Sequence, residues 1–156
     1  MLNSILIFSA KYLLVLPAVI LGIYFLLLPR QVQKNILIFA IPSLLLTYLF
    51  GLLAGHLFYD ARPFVVGNFT PLIPHAPDNG FPSDHALVVS AMAVIGSYLN
   101  WRLGVVLWVL GFIVAAARVY IGLHHPIDVV GSLAIAVIAT SAVFLFITYV
   151  CHKEMS

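Results

Sequence analysis

The chain has 156 residues, 63% of them hydrophobic, with a mean hydropathy of +1.15. Charged residues make up 8%, far below the roughly 25% of an ordinary soluble domain, and the net charge is +2. Such a composition excludes a soluble core of this length and gives no argument for a nucleic-acid partner. It points to a small polytopic membrane protein in a single domain, residues 1–156.

A spanning helix needs about 20 apolar residues. The first candidate covers residues 5–28 and stops at Pro29; Pro29-Arg30-Gln31 is not a small-residue cleavage site, so no cleaved signal peptide is expected. The second covers residues 36–59. The third, residues 84–99, is short and ends at Asn100. The fourth and fifth cover residues 103–123 and 127–150, with Pro126 at a first-turn position where its missing N–H costs nothing. Backbone groups at membrane depth must be satisfied within the segment, so these are helices, about five in an all-α polytopic bundle. The single Cys151 offers neither a disulfide framework nor a thiolate metal site.

The connections are short except for residues 60–82, which hold five of the nine prolines. A long irregular connection in a compact protein is usually functional. Helix alternation puts Arg30, Lys34, Arg102 and Lys153 on one side. Lys11, Arg62 and Arg118 lie on the other, with Asp60, Asp78, Asp84 and Asp128. The basic excess marks the first side as cytoplasmic, so the long loop faces outward.

The outward side collects the chemistry. Arg62-Pro63 opens the loop, His75 and Asp78 lie in it, "PSDH" ends it at His85, and "RVYIGLHHPID" runs from Arg118 to Asp128. Charged and imidazole groups at membrane depth are costly and mark a site by default. Two guanidinium forks suit phosphate oxygens. Ser83 is placed to cap the third helix, whose N–H groups then face an anion. Asp128, four residues after His124, is within reach of one imidazole nitrogen, leaving the other free to attack. His85, from another helix, can protonate a departing oxygen. Nucleophile, orienter, acid and anion clamp together describe phosphoryl transfer.

These residues resemble the signature of the type 2 phosphatidic acid phosphatase superfamily, whose three parts are K-x6-R-P, P-S-G-H and S-R-x5-H-x3-D. The chain reads "GHLFYDARP" from Gly55, "PSDH" from Pro82 and "ARVYIGLHHPID" from Ala117. The resemblance implies that His124 is a nucleophile forming a phosphohistidine, Asp128 its orienter and His85 the acid. It also implies that Arg62, Arg118 and Ser83 cradle the phosphate, and that no metal or cofactor takes part. "PSDH" with "HHPID" looks like the bacterial branch that hydrolyses undecaprenyl diphosphate, a substrate reached from the membrane lipids at the outer face of the plasma or inner membrane.

Three positions depart from the signature: Gly55 stands for the lysine, Ala117 for the serine and Asp84 for the glycine. Lys11 is a candidate substitute for the lysine, and Asp84 at least favours a helix start. The family usually has six spans, so an early helix is expected to be missing. His56 is expected to bond another helix, and His75 and His125 have no assigned role. "NFT" at Asn68 fits a glycosylation sequon. The rival readings are a phosphatase for another lipid phosphate (phosphatidylglycerophosphate, phosphatidic acid or lipid A phosphate) and a non-catalytic lipid-binding or transport protein.

Overall fold

The computed structural model describes residues 1–154, which form seven helices: α1 (Leu2–Lys11), α2 (Val15–Leu26), α3 (Arg30–Leu57), α4 (Pro63–Val66), α5 (Asp84–Leu99), α6 (Trp101–Tyr120) and α7 (Pro126–Glu154). Among the described residues the only extended pairing is an isolated bridge between Ala61 and Asn79.

Three helices, α3, α6 and α7, are long and apolar enough to cross a bilayer singly. They carry large exposed apolar side chains along their outer faces, such as Ile41, Leu45 and Leu49 on α3, Val105 and Val109 on α6, and Ile138 and Leu145 on α7. A face of that kind belongs against lipid.

The segment expected as one span over residues 5–28 is broken. α1 and α2 meet at a 50° bend and pass as a span only together, bringing the count to four. Pro17, fully buried on the first turn of α2, explains the break. It has no N–H, and its ring would collide with the carbonyl four residues back, so a continuous helix cannot run through it.

The remaining segment is α5. Its 16 residues cover roughly 24 Å at 1.5 Å each, less than the ~30 Å hydrocarbon core. It is the core of the bundle: Ala86, Leu87 and every residue from Val89 to Gly96 are buried. Helices α6, α7, α3 and α2 pack around it. The α5–α6 hairpin is tight because Gly104 lies against Ser97, where an added Cβ would fall 2.6 Å from the Ser97 Cα. Asn100 closes the turn, its side chain accepting from the N–H groups of Arg102 (2.9 Å) and Leu103 (3.4 Å).

This topology brings the C-terminal ends of α3 and α6 and the N-terminal ends of α5 and α7 to one end of the bundle. The 60–82 connection covers that end. It is anchored by the Ala61–Asn79 bridge and by Ile73, which packs with Ala10, Ala117, Ile121 and Leu123.

Candidate active site

The start of α7 builds the first part of the site. Pro126 occupies the first helical position and His125 the cap before it. Asp128, at the third position, accepts the His125 backbone N–H at 2.8 Å, one half of a capping box. The same carboxylate oxygen lies 3.4 Å from Nδ1 of His124. The spacing of "HHPID" therefore lets one acid cap a helix and face a ring.

The nearer acceptor for that ring is the carbonyl oxygen of Gly80, 2.9 Å from Nδ1. A carbonyl can only accept, so Nδ1 carries the proton. At the other nitrogen, Nε2, Arg62 and Arg118 each bring a guanidinium nitrogen to 3.3 Å. Guanidinium groups only donate, so Nε2 is the acceptor. Its partners thus fix the tautomer, with the Nε2 lone pair facing two cations. Sequence reasoning assigned that orienting task to Asp128 alone and missed Gly80.

Burial keeps this arrangement out of water: Arg62 and Arg118 are each 6% exposed, His124 2% and Asp128 0%. Buried charges need partners, and Arg62 has a full set. Its Nε donates to Asp78 (2.6 Å), one terminal nitrogen to the Leu123 carbonyl (3.0 Å) and the other to the Asn79 carbonyl (3.2 Å). Burial pushes the His124 imidazole below its ordinary range. The hydrogen bond to Asp128 opposes that shift, while repulsion from Arg118 and Arg62 adds to it. Asp78 is mostly exposed. What burial it has tends to raise its carboxyl, but the hydrogen bond and charge of Arg62, with His75 adding, hold it below the usual carboxylate range.

At the site, the Ser83 hydroxyl, Nε of Arg118 and Oδ1 of Asp128 are buried with no partner among the described residues. Ser83 caps α5 by position but makes no side-chain cap bond, so neither its hydroxyl nor the first N–H groups of α5 are spent on each other. Its backbone is held instead. Its carbonyl accepts the Ser132 hydroxyl at 3.0 Å, and Ser132 also reaches the Asp128 carbonyl at 2.7 Å. His85, on the first turn of α5, is partly buried and within electrostatic range of Arg118 and His124. The structure thus brings together all six expected residues, Arg62, Ser83, His85, Arg118, His124 and Asp128, at one end of the bundle.

Asn79 is the second organiser that the motifs did not reveal. Its side-chain oxygen accepts from the N–H groups of Asp60 (2.9 Å) and Phe81 (3.0 Å), and its amide donates to the carbonyls of Gly55 (2.8 Å) and Phe58 (3.0 Å). It ties the C-terminal end of α3 to the loop that carries Arg62 and Gly80. The "NG" turn dipeptide was its only signal.

Other expectations resolve differently. Lys11 is exposed at the end of α1. At Gly55 an added Cβ would lie 3.0 Å from the Phe81 carbonyl oxygen and 3.3 Å from Pro82, so loop backbone fills the space where a side chain would start. Ala117 is buried in the apolar cluster around Ile121 and Leu123. His56 is exposed and, among the described residues, bonds no other helix. Asp60, His125 and Asp128 could each offer one ligand atom to a cation within a 4.8 Å cluster. His125 and Asp60 are already paired at 2.7 Å, so a cation would have to break that contact.

The sequence profile of the PAP2 superfamily matches residues 36–151. The chain belongs to the PAP2 superfamily. It is 35% identical over 148 residues to undecaprenyl-diphosphatase BcrC of Bacillus subtilis strain 168, covering 93% of this chain and 75% of that protein. Among solved structures it resembles Aquifex aeolicus LpxE, with a TM-score of 0.73 at 20% identity, covering 92% of this chain and 85% of that one. It also resembles the first transmembrane PAP2 type phosphatidylglycerolphosphate phosphatase from Bacillus subtilis, with a TM-score of 0.70 at 21% identity, covering 95% and 77%. As a PAP2 member with several apolar helices, the chain is a multi-pass membrane phosphatase.

Proposed function

We propose that this phosphatase hydrolyses undecaprenyl diphosphate to the monophosphate through a phosphohistidine on His124. The observation that carries the reading is the convergence of Arg62 and Arg118 on Nε2 of a His124 whose Nδ1 is held as a donor. The 35% identity to a protein named undecaprenyl-diphosphatase supports the substrate.

In the first step the Nε2 lone pair attacks the terminal phosphorus. A P–N bond forms, and the bond from that phosphorus to the bridging oxygen breaks. Arg62 and Arg118 turn their donors from Nε2 to the phosphoryl oxygens, where charge accumulates. The Ser83 hydroxyl and the first N–H groups of α5 add neutral donors. His85 gives its proton to the bridging oxygen, which leaves with the lipid phosphate. In the second step His85 takes a proton from water, the oxygen attacks phosphorus, and the P–N bond breaks. The balance is diphosphate plus water to monophosphate plus inorganic phosphate.

Charge distribution supports a site on the outer face. Arg30, Lys34, Arg102 and Lys153 belong to the opposite end of the bundle, whereas Arg62 and Arg118 are consumed within the site, leaving Lys11 as the exposed cation beside it. That asymmetry obeys the positive-inside rule.

The test is phosphate release by purified protein in detergent. Undecaprenyl diphosphate, phosphatidylglycerophosphate, phosphatidic acid and a lipid A phosphate compete at equal concentration, with and without a chelator. The expected result is chelator-insensitive release with the highest kcat/KM for the prenyl diphosphate. A higher kcat/KM for a glycerolipid overturns the substrate, and no release from any of them overturns the enzyme.

A further inference from the structure

We propose that His125 and Asp60 are positioning residues for the nucleophile, their contact holding both groups that face Nδ1 of His124, Gly80 and Asp128, in place; this rests on the attack by His124 proposed above. The motifs gave neither residue a role. Nδ1 of His125 lies 2.7 Å from a carboxylate oxygen of Asp60. An ionised carboxylate only accepts, so that nitrogen is the donor. The contact joins the loop after α3 to the start of α7, across the nucleophile.

Asp60 grips the first of these groups through its backbone. Its carbonyl oxygen accepts the Gly80 N–H at 2.8 Å, and Gly80's own carbonyl accepts from Nδ1 of His124 at 2.9 Å. Gly80 has no room to shift: an added Cβ would lie 3.0 Å from Oδ2 of Asp128 and 3.1 Å from the Asp60 carbonyl oxygen. His125 grips the second group, because its backbone N–H donates to that same Oδ2 at 2.8 Å. The Asp60–His125 contact therefore closes a ring that runs from Asp60 to Gly80, from Gly80 to His124, and through the peptide bond to His125. Without it, the two sides of the nucleophile are free to move apart.

Magnitudes separate this role from simple support of the fold. The side chains of His125 and Asp60 are 34% and 24% exposed. An ion pair that water reaches contributes little to stability. A misplacement of about 1 Å at reacting atoms, in contrast, can cost on the order of 100-fold in rate. The arginines hold Nε2 from the other face of the ring and bond neither His125 nor Asp60, so phosphate binding does not depend on the pair. The rate should fall while KM and the melting temperature stay.

The experiment compares three variants of the full chain in detergent. His125→Phe keeps an aromatic ring and loses the donor, His125→Asn restores a donor toward Asp60, and Asp60→Asn keeps an oxygen that accepts from His125. Each is measured for kcat and KM on undecaprenyl diphosphate, for melting temperature, and for the His124 tautomer by ¹⁵N NMR of histidine-labelled protein. In His125→Phe, kcat is expected to fall about 10- to 100-fold with KM within about twofold of the parent value. Its melting temperature should stay within a few degrees, and the single Nδ1–H tautomer of His124 should become a mixture. His125→Asn and Asp60→Asn should both recover most of kcat and the single tautomer. Parental kcat in His125→Phe, a loss that neither asparagine variant recovers, or a fall in kcat matched by a collapse in melting temperature overturns the positioning role. A His124 tautomer that His125→Phe disturbs, in a parent protein that releases no phosphate from any lipid, leaves the pair standing and removes His124 as the nucleophile.

Discussion

Nδ1 of His124 lies 2.9 Å from the carbonyl oxygen of Gly80 and 3.4 Å from the carboxylate of Asp128. The closer partner is a backbone atom, which no side-chain substitution removes. In a Ser-His-Asp site, Asp→Asn costs about 10⁴-fold because the imidazole adopts the wrong tautomer. Here Gly80 holds the tautomer, so Asp128→Asn should lower kcat by roughly 10- to 100-fold only. An asparagine side-chain oxygen can still accept the His125 N–H, so thermal stability in detergent should hold. Asp128→Ala loses that cap and should be less stable by about 1 kcal/mol. Steady-state kinetics and thermal unfolding of both variants check this; a 10⁴-fold loss in Asp128→Asn contradicts it.

The pH dependence follows from the depressed His124. Its folded pKa lies below the ordinary 6.5, because burial and the two arginines outweigh Asp128. The neutral, nucleophilic ring therefore persists below pH 6.5, and the His124 contribution to the acid limb of kcat/KM falls below that value. For stability the sign is the same. Between the unfolded and folded pKa values the unfolded chain binds more protons, so this group's contribution is fully present above pH 6.5 and declines as pH falls toward the folded pKa. Asp128→Asn removes an influence that raises the pKa and should shift the limb to still lower pH. An upward shift in a pH–rate profile would falsify the assignment.

Asn79 predicts a loss without touching substrate. Asn79→Ala removes four side-chain hydrogen bonds, including those to the carbonyls of Gly55 and Phe58. Unpaired polar groups cost about 1–3 kcal/mol where water cannot replace the bond. The variant should melt several degrees lower and lose kcat, because Arg62 and Gly80 share its loop. Asn79→Asp, which keeps the two accepting contacts, should recover part of both losses. If Asn79→Ala matches the parent protein in melting temperature and kcat, the role assigned to Asn79 is wrong.

Restoring the motif lysine should not help. The first atom of any side chain at residue 55 meets the Phe81 carbonyl oxygen at 3.0 Å. Overpacking of that kind costs about 1–3 kcal/mol. Gly55→Lys should therefore lower the melting temperature and leave kcat/KM no higher than in the parent protein. A rise in kcat/KM would mean that the site lacks a cation after all.

Asp84 bears on affinity. It lines the same cavity as Arg62, and its charge is felt at Arg118. A carboxylate there repels a diphosphate through a partly solvated path, where a single charge pair is worth about 0.2–1 kcal/mol. Asp84→Asn should lower KM by roughly 1.5- to 5-fold with kcat nearly unchanged, and a higher KM would give Asp84 a binding role instead.

Much of this was legible in the sequence because the chemistry sits on helix ends. The spacing from Arg118 to His124 and Asp128, and the "PSDH" before α5, fix those groups locally, and alternation of apolar helices brings them to one end. What was not legible depends on close approach between distant segments. Gly80 acts through a carbonyl, which no residue type announces. Asn79 acts through contacts to residues 19 to 24 positions earlier. The break between α1 and α2 was signalled by Pro17, but the hydropathy of residues 5–28 masked it. α5 read as a short span because it has only 16 residues; that it is the buried centre of the bundle depends on how the other helices pack around it.

The most direct test of the central claim uses prenyl diphosphate labelled with ³²P in the terminal phosphate, rapid quenching, and peptide mapping under basic conditions that preserve phosphohistidine. The account predicts acid-labile label on the peptide containing His124, absent in His124→Ala, which should also show no turnover while inserting and purifying normally. Label on another residue, or turnover retained in His124→Ala, contradicts it.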